Sequence, residues 1–146
     1  MSGPLYTRDI LRLAASIPHL APLDHADGEA ELRSPTCGSR MRVAVRLDAQ
    51  GEVSALSQRV EACAFGQASA ALMGAHAIGR SKAEMAVAID ALSAWLAARS
   101  DTPGTWPGLF ALAPARDRAG RHGAILLPFR TLLAAIEAAA QADRST

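Results

Sequence analysis

The sequence predicts an α+β domain in which a small antiparallel sheet of about three strands packs against helices. Three observations carry that prediction. Residues 40–47 alternate apolar and polar side chains, residues 64–78 are rich in alanine, and a capping motif at Ser81 opens an amphipathic stretch. The chain has 146 residues, half of them hydrophobic and a fifth charged, which fits a single domain spanning 1–146 with a core large enough to need no disulfide or metal.

Taken in order, Leu5, Ile10, Leu13, Ala14 and Ile17 sit at roughly helical spacing and stop at Pro18, so a first helix is expected over 5–17. The Pro, Asp, His and Gly mixture of residues 21–28 reads as a loop, and Glu29 to Arg33 as a short strand. Met41, Val43, Val45 and Leu47 alternate with Arg40, Arg42, Ala44 and Arg46, the period of a strand with one buried face. Residues 48–52, with Gly51 free to take a positive φ, form a hairpin loop into a partner strand from Val53 to about Glu61. Imperfect alternation there leaves room for a bulge.

A helix is then expected to open near Cys63, weakened locally by Gly66 and Gly74. Ser81 and Glu84 make a capping box, followed by the stripe Met85, Ala88, Ile89, Leu92, Trp95 and Leu96. Residues 100–108 read as a linker, Leu109 to Ala113 as a short helix, and Pro128 as an early turn of the last helix, with Phe129, Leu132, Leu133 and Ile136 facing inward. Met41, Met73 and Met85 fall at core spacing.

Fifteen basic against fourteen acidic residues leave a net charge of +1, no footprint for nucleic acid or for an anionic membrane. Apolar runs are broken by Gly, His and Pro, so no membrane span is expected. Two cysteines and a start without signal-peptide layout point to the reducing cytoplasm.

Cys37 precedes the first long strand and Cys63 follows the second, so a hairpin brings both to the same end of the sheet. Near a helix N-terminus Cys63 is suited to metal binding or attack on a persulfide; alternatively both cysteines are small buried apolar residues. Ser34-Pro35-Thr36-Cys37-Gly38-Ser39-Arg40 and Glu61-Ala62-Cys63-Ala64-Phe65-Gly66-Gln67-Ala68-Ser69-Ala70 resemble the two cysteine motifs of the U-type iron–sulfur cluster assembly scaffolds. The branch nearest in pattern is that of the SUF system, akin to the N-terminal domain of the nitrogen-fixation U protein. Leu5-Tyr6 and Leu126-Leu127-Pro128-Phe129 extend the resemblance over nearly the whole chain.

The resemblance implies a scaffold or sulfur acceptor served by a cysteine desulfurase, holding iron, a [2Fe–2S] cluster or zinc on three cysteines and one aspartate. Cys37 and Cys63 match the first two cysteines, with Cys37 the candidate persulfide acceptor. The aspartate is replaced by Ser39, and the third cysteine falls at Ala124, or at Gly123 with a one-residue shift. His122 stands beside that position and is the candidate third ligand. His19, His25 and His76 have no such context and read as surface residues. Three functions are therefore weighed: a scaffold, completed if needed by a ligand from a homodimer partner; a sulfurtransferase; and a binding module of the same fold that docks a desulfurase without holding metal. Arg40, Arg42 and Arg46 share one strand face, a solvated surface or a site for an acidic partner.

Overall fold

The strand alternation builds the sheet. The computed structural model describes residues 6–35 and 38–144. Strands β1 (Gly28–Arg33), β2 (Arg40–Leu47) and β3 (Val53–Glu61) pair antiparallel in that order. Met41, Val43, Val45, Val53 and Leu56 are buried on the inner face, where the branched side chains pack best. The bulge is real: Arg46 pairs with Ala55 but Leu47 with Val53, leaving Ser54 as the extra residue. Asp48 organises the hairpin turn, its Oδ1 accepting from the backbone N–H groups of Gln50 and Glu52, with Gly51 at φ 80°.

Helices α1 (Arg8–Ala14), α2 (Ala64–His76), α3 (Lys82–Leu96) and α4 (Ala119–Arg144), with a 3₁₀ helix at Leu109–Ala115, complete the chain. The first helix is shorter than the expected 5–17, because the Thr7 hydroxyl caps it by accepting from Ile10 N–H. Nearly every residue of α2 from Phe65 to Gly74 is buried, which is why that segment shows alanine richness and no stripe. The capping box at Ser81 and Glu84 is formed. At its other end α3 closes in a Schellman motif, with Arg99 N–H donating to Ala94 C=O and Ala98 N–H to Trp95 C=O. Ala98 consequently sits at φ 61°.

The largest departure is α4. Pro128 lies in its tenth position and not in an early turn. Proline brings no N–H for the carbonyl of Ala124 and disturbs the local ladder. Burial carries the helix through: Ile125, Leu126, Leu127, Phe129 and Leu132 are all core residues, and the buried Ser69 hydroxyl of α2 donates to Ile125 C=O at 2.6 Å. As a result Ala119–Ala142 is long and apolar enough to cross a membrane, contrary to the expectation of broken runs; 61% of its apolar window is buried inside the fold, as in the core helix of a soluble protein.

α4 lies across β1 and β2 and against α2 and α3. Its approach to β1 is set by Gly28, where a Cβ would stand 2.4 Å from Ala139 N and 2.5 Å from Ala135 O. Those are backbone atoms of a helix and cannot step aside. Gly28→Ala is expected to cost about 3 kcal/mol in urea unfolding, at the upper end of overpacking penalties. Ala98→Gly, which relieves a left-handed alanine, is expected to raise stability by about 0.5–1 kcal/mol in the same measurement.

Candidate functional site

The last rung of the sheet locates the site. Arg40 pairs in register with Arg33 on one side and Glu61 on the other. Beyond that rung lie the residues 34–39 loop, closed by Ser34 N–H donating to Ser39 C=O at 2.8 Å, and the short step from Glu61 into α2. Gly38 takes φ 71° and donates to Ser34 C=O. Cys37 belongs to this loop by sequence and lies outside the described residues. Ser39, the residue in the aspartate position, is buried at the mouth of the loop.

Cys63 is the N-cap of α2, in extended backbone, half-buried and a free thiol. Its carbonyl accepts the first helical bond, from Gln67 N–H, while its side chain caps nothing. The first N–H groups of α2 therefore have no intrahelical acceptor, and the thiol stands among donors suited to an anionic guest. The Gln67 side chain donates to Ala62 C=O at 3.1 Å and holds the turn. Nearby, Glu61 accepts from Arg40 at 2.7 Å and holds that guanidinium above its ordinary pKa, chiefly through the hydrogen bond.

Ala124 of α4 reaches the same place. A Cβ on Gly66 would stand 3.4 Å from the Ala124 Cβ and 2.5 Å from that of Ala62, so the first turn of α2 and the upstream half of α4 meet in a contact of three small residues. Ala124 is fully buried and supplies no donor atom. An isolated glycine in a helical pattern signals a close approach, and Gly66 was the sequence mark of this contact.

His122 is held by another element, the 3₁₀ helix. Two residues apart on a helix, side chains diverge by about 200°. Its Nε2 lies 3.0 Å from Ala115 C=O and 2.9 Å from Arg116 C=O, at the C-terminal end of the 3₁₀ helix, so one ring nitrogen is engaged and Nδ1 is what it can offer a metal. Next to it, Arg121 reaches the Tyr6 hydroxyl at 3.4 Å, and the Tyr6 ring packs on Phe65 at 5.4 Å, tying the chain before α1 to α2 and α4. His19, His25 and His76 stand away from Cys63: His19 and His25 in the loop before β1, His76 at the far end of α2. Among the described residues no three His, Cys, Asp or Glu side chains form a metal-binding group.

A family model described as the NifU-like N terminal domain matches residues 5–101. The chain belongs to the NifU-like N-terminal domain family. Its fold agrees with that of a nitrogen-fixing NifU-like protein (N-terminal) from Brucella abortus, 30% identical, with a TM-score of 0.86 over 94% of this chain and 95% of that one. It also agrees with a proposed iron–sulfur cluster assembly scaffold protein for the SUF system from Fervidobacterium islandicum AW-1, 18% identical, TM-score 0.81, covering 90% and 96%. No curated protein matches this chain. The α+β fold and the family resemblance expected from the cysteine motifs are thus both shown.

The geometry makes a chemical prediction. Pulse alkylation of the native protein with iodoacetamide, read by peptide mass mapping, is expected to label the half-buried Cys63, whereas the thiol introduced by Ala124→Cys reacts only after unfolding.

Proposed function

We propose that this NifU-like domain is an iron–sulfur cluster assembly protein whose cargo, iron, sulfur or a nascent [2Fe–2S] cluster, is taken at Cys37 and Cys63. The observation that carries this reading is the last rung of the sheet, Arg40 with Glu61, which sets Ser39 and the Cys63 N-cap at one end, with Ala124 against the first turn of α2. The Fervidobacterium structure's description as a SUF scaffold supports it. The same reading places the protein in the reducing cytoplasm, where both thiols persist.

In the sulfur-accepting step a cysteine desulfurase is the donor. The Cys37 thiolate attacks the outer sulfur of the donor's persulfide, a new S–S bond forms, the donor's S–S bond breaks, and the electron pair leaves on the donor thiolate with no net oxidation. Holding a metal is a harder task for this chain. Two thiolates leave two positions of a tetrahedral ion to be filled, by His122 through Nδ1, by small ligands or by a second copy of the chain, since Ser39 is a weak donor and Ala124 none. A four-thiolate cluster shared across a homodimer meets the same need.

Fully buried Ala124 favours a second reading, a module that docks the desulfurase and has lost its metal. Incubation with a cysteine desulfurase and cysteine, followed by intact mass measurement, is expected to add one sulfur to the wild type and none to Cys37→Ala. Anaerobic reconstitution with iron and sulfide is expected to give cluster absorption that Cys37→Ala and Cys63→Ala both lose. If the wild type gains neither sulfur nor cluster yet still binds the cysteine desulfurase in solution, the docking module is the correct reading.

A further inference from the structure

A helix N-terminus is ordinarily fastened by its N-cap side chain, a serine, threonine, aspartate or asparagine that accepts from the N–H groups of the first turn. Cys63 holds that position in α2, and its side chain caps nothing. The fastening has moved to Gln67. Its backbone N–H donates to Cys63 C=O at 2.9 Å, and its side-chain Nε2 folds back over the first turn to donate to Ala62 C=O at 3.1 Å. One residue thus grips two consecutive carbonyls.

Those carbonyls belong to the peptide planes on either side of the Cys63 Cα. Each plane is rigid, so holding both fixes φ and ψ of Cys63, at −66° and 173°, and with them the direction of its Cα–Cβ bond. The turn is packed as well as bonded: a Cβ on Gly66 would stand 2.5 Å from the Ala62 Cβ, so Ala62 lies directly on it. An amide suits this position better than an acid. Acidic side chains are favoured by the dipole in a first turn, yet α2 has none there. A carboxylate at 67 has no proton to give Ala62 C=O, and it would bring a second negative charge to the residue before a thiolate.

We propose that Gln67 is the positioning residue of Cys63. Its side chain takes over the fastening of the turn from the N-cap side chain, so that the sulfur is aimed by the backbone and kept out of the capping bond. The proposal rests on the reading of Cys63 as a cargo residue. Gln67 acts through the two carbonyls around Cys63 and not on the cargo itself.

Glutamine, methionine, glutamate and lysine have similar helix propensities, so exchanging them at position 67 isolates the donor. In Gln67→Met and Gln67→Glu the backbone N–H of residue 67 is expected to lose about fivefold in protection against hydrogen exchange, the factor that one net hydrogen bond is worth in a local opening. The Met73 N–H, later in α2, is expected to keep its wild-type protection, which separates a loosened turn from a destabilised fold. Titrated anaerobically with cobalt(II), the wild type is expected to show thiolate charge-transfer absorption, and the same two variants to bind at least about tenfold more weakly. Gln67→Lys, whose ammonium donates to Ala62 C=O, is expected to recover both. A wild type without cobalt or cluster absorption would overturn the cargo reading, and the proposal with it. Wild-type binding that Gln67→Met equals, or Gln67→Lys with no more protection than Gln67→Met, would overturn the positioning role and leave the cargo reading standing.

Discussion

Helix α4 approaches its neighbours through missing side chains, and the rest of the molecule is arranged around that approach. At Gly28 its backbone lies so near β1 that no Cβ fits, and at Gly66 and Ala124 it meets α2 through small residues. Two such contacts fix the helix in both position and rotation, because each depends on a particular face of α4 being turned inward. The sheet, α2 and α3 then pack against a single reference element, and their buried side chains form one continuous core. Dispersion and burial of this kind are individually weak and collectively dominant.

The same geometry explains both the promise and the incompleteness of the cysteine site. Ending β3 at Glu61 and capping α2 with Cys63 puts a thiol at the rim of the sheet, next to helix N–H donors and beside the closed 34–39 loop. α4 brings its contribution to that rim as Ala124, a fully buried methyl group. His122, two positions earlier, is turned by the helical repeat toward the end of the 3₁₀ helix, where it accepts a structural task. What remains is a rim rich in backbone donors and, among the described residues, poor in metal ligands.

The two faces of the sheet obey different physics. On the inner face Met41, Val43 and Val45 are wholly buried, and the one polar side chain opposite them, Gln58, is tied by its Nε2 to Pro18 C=O and Ala70 C=O. On the outer face charge is held in water, where ion pairs such as Arg40 with Glu61 and Arg42 with Glu29 contribute little to folding.

Much of this was legible in the residue order. Strand alternation from 40 to 47, the Ser81 and Glu84 box and the two cysteine motifs specify the hairpin, α3 and the family, since each is a local pattern with a local cause. The resemblance carried by those motifs also implied that Ser39 and Ala124 stand where its ligand set has an aspartate and a cysteine. Only the tertiary structure decided that Pro128 lies deep inside a helix, that Ala124 packs on Gly66, and that the His122 Nε2 is engaged by the carbonyls closing the 3₁₀ helix. The reason is physical: a proline penalty can be overcome by burial of Ile125, Leu127 and Phe129 and by a hydroxyl from Ser69, 56 residues away, and a helix's rotation is set by its neighbours' packing. Local propensity carries no knowledge of either.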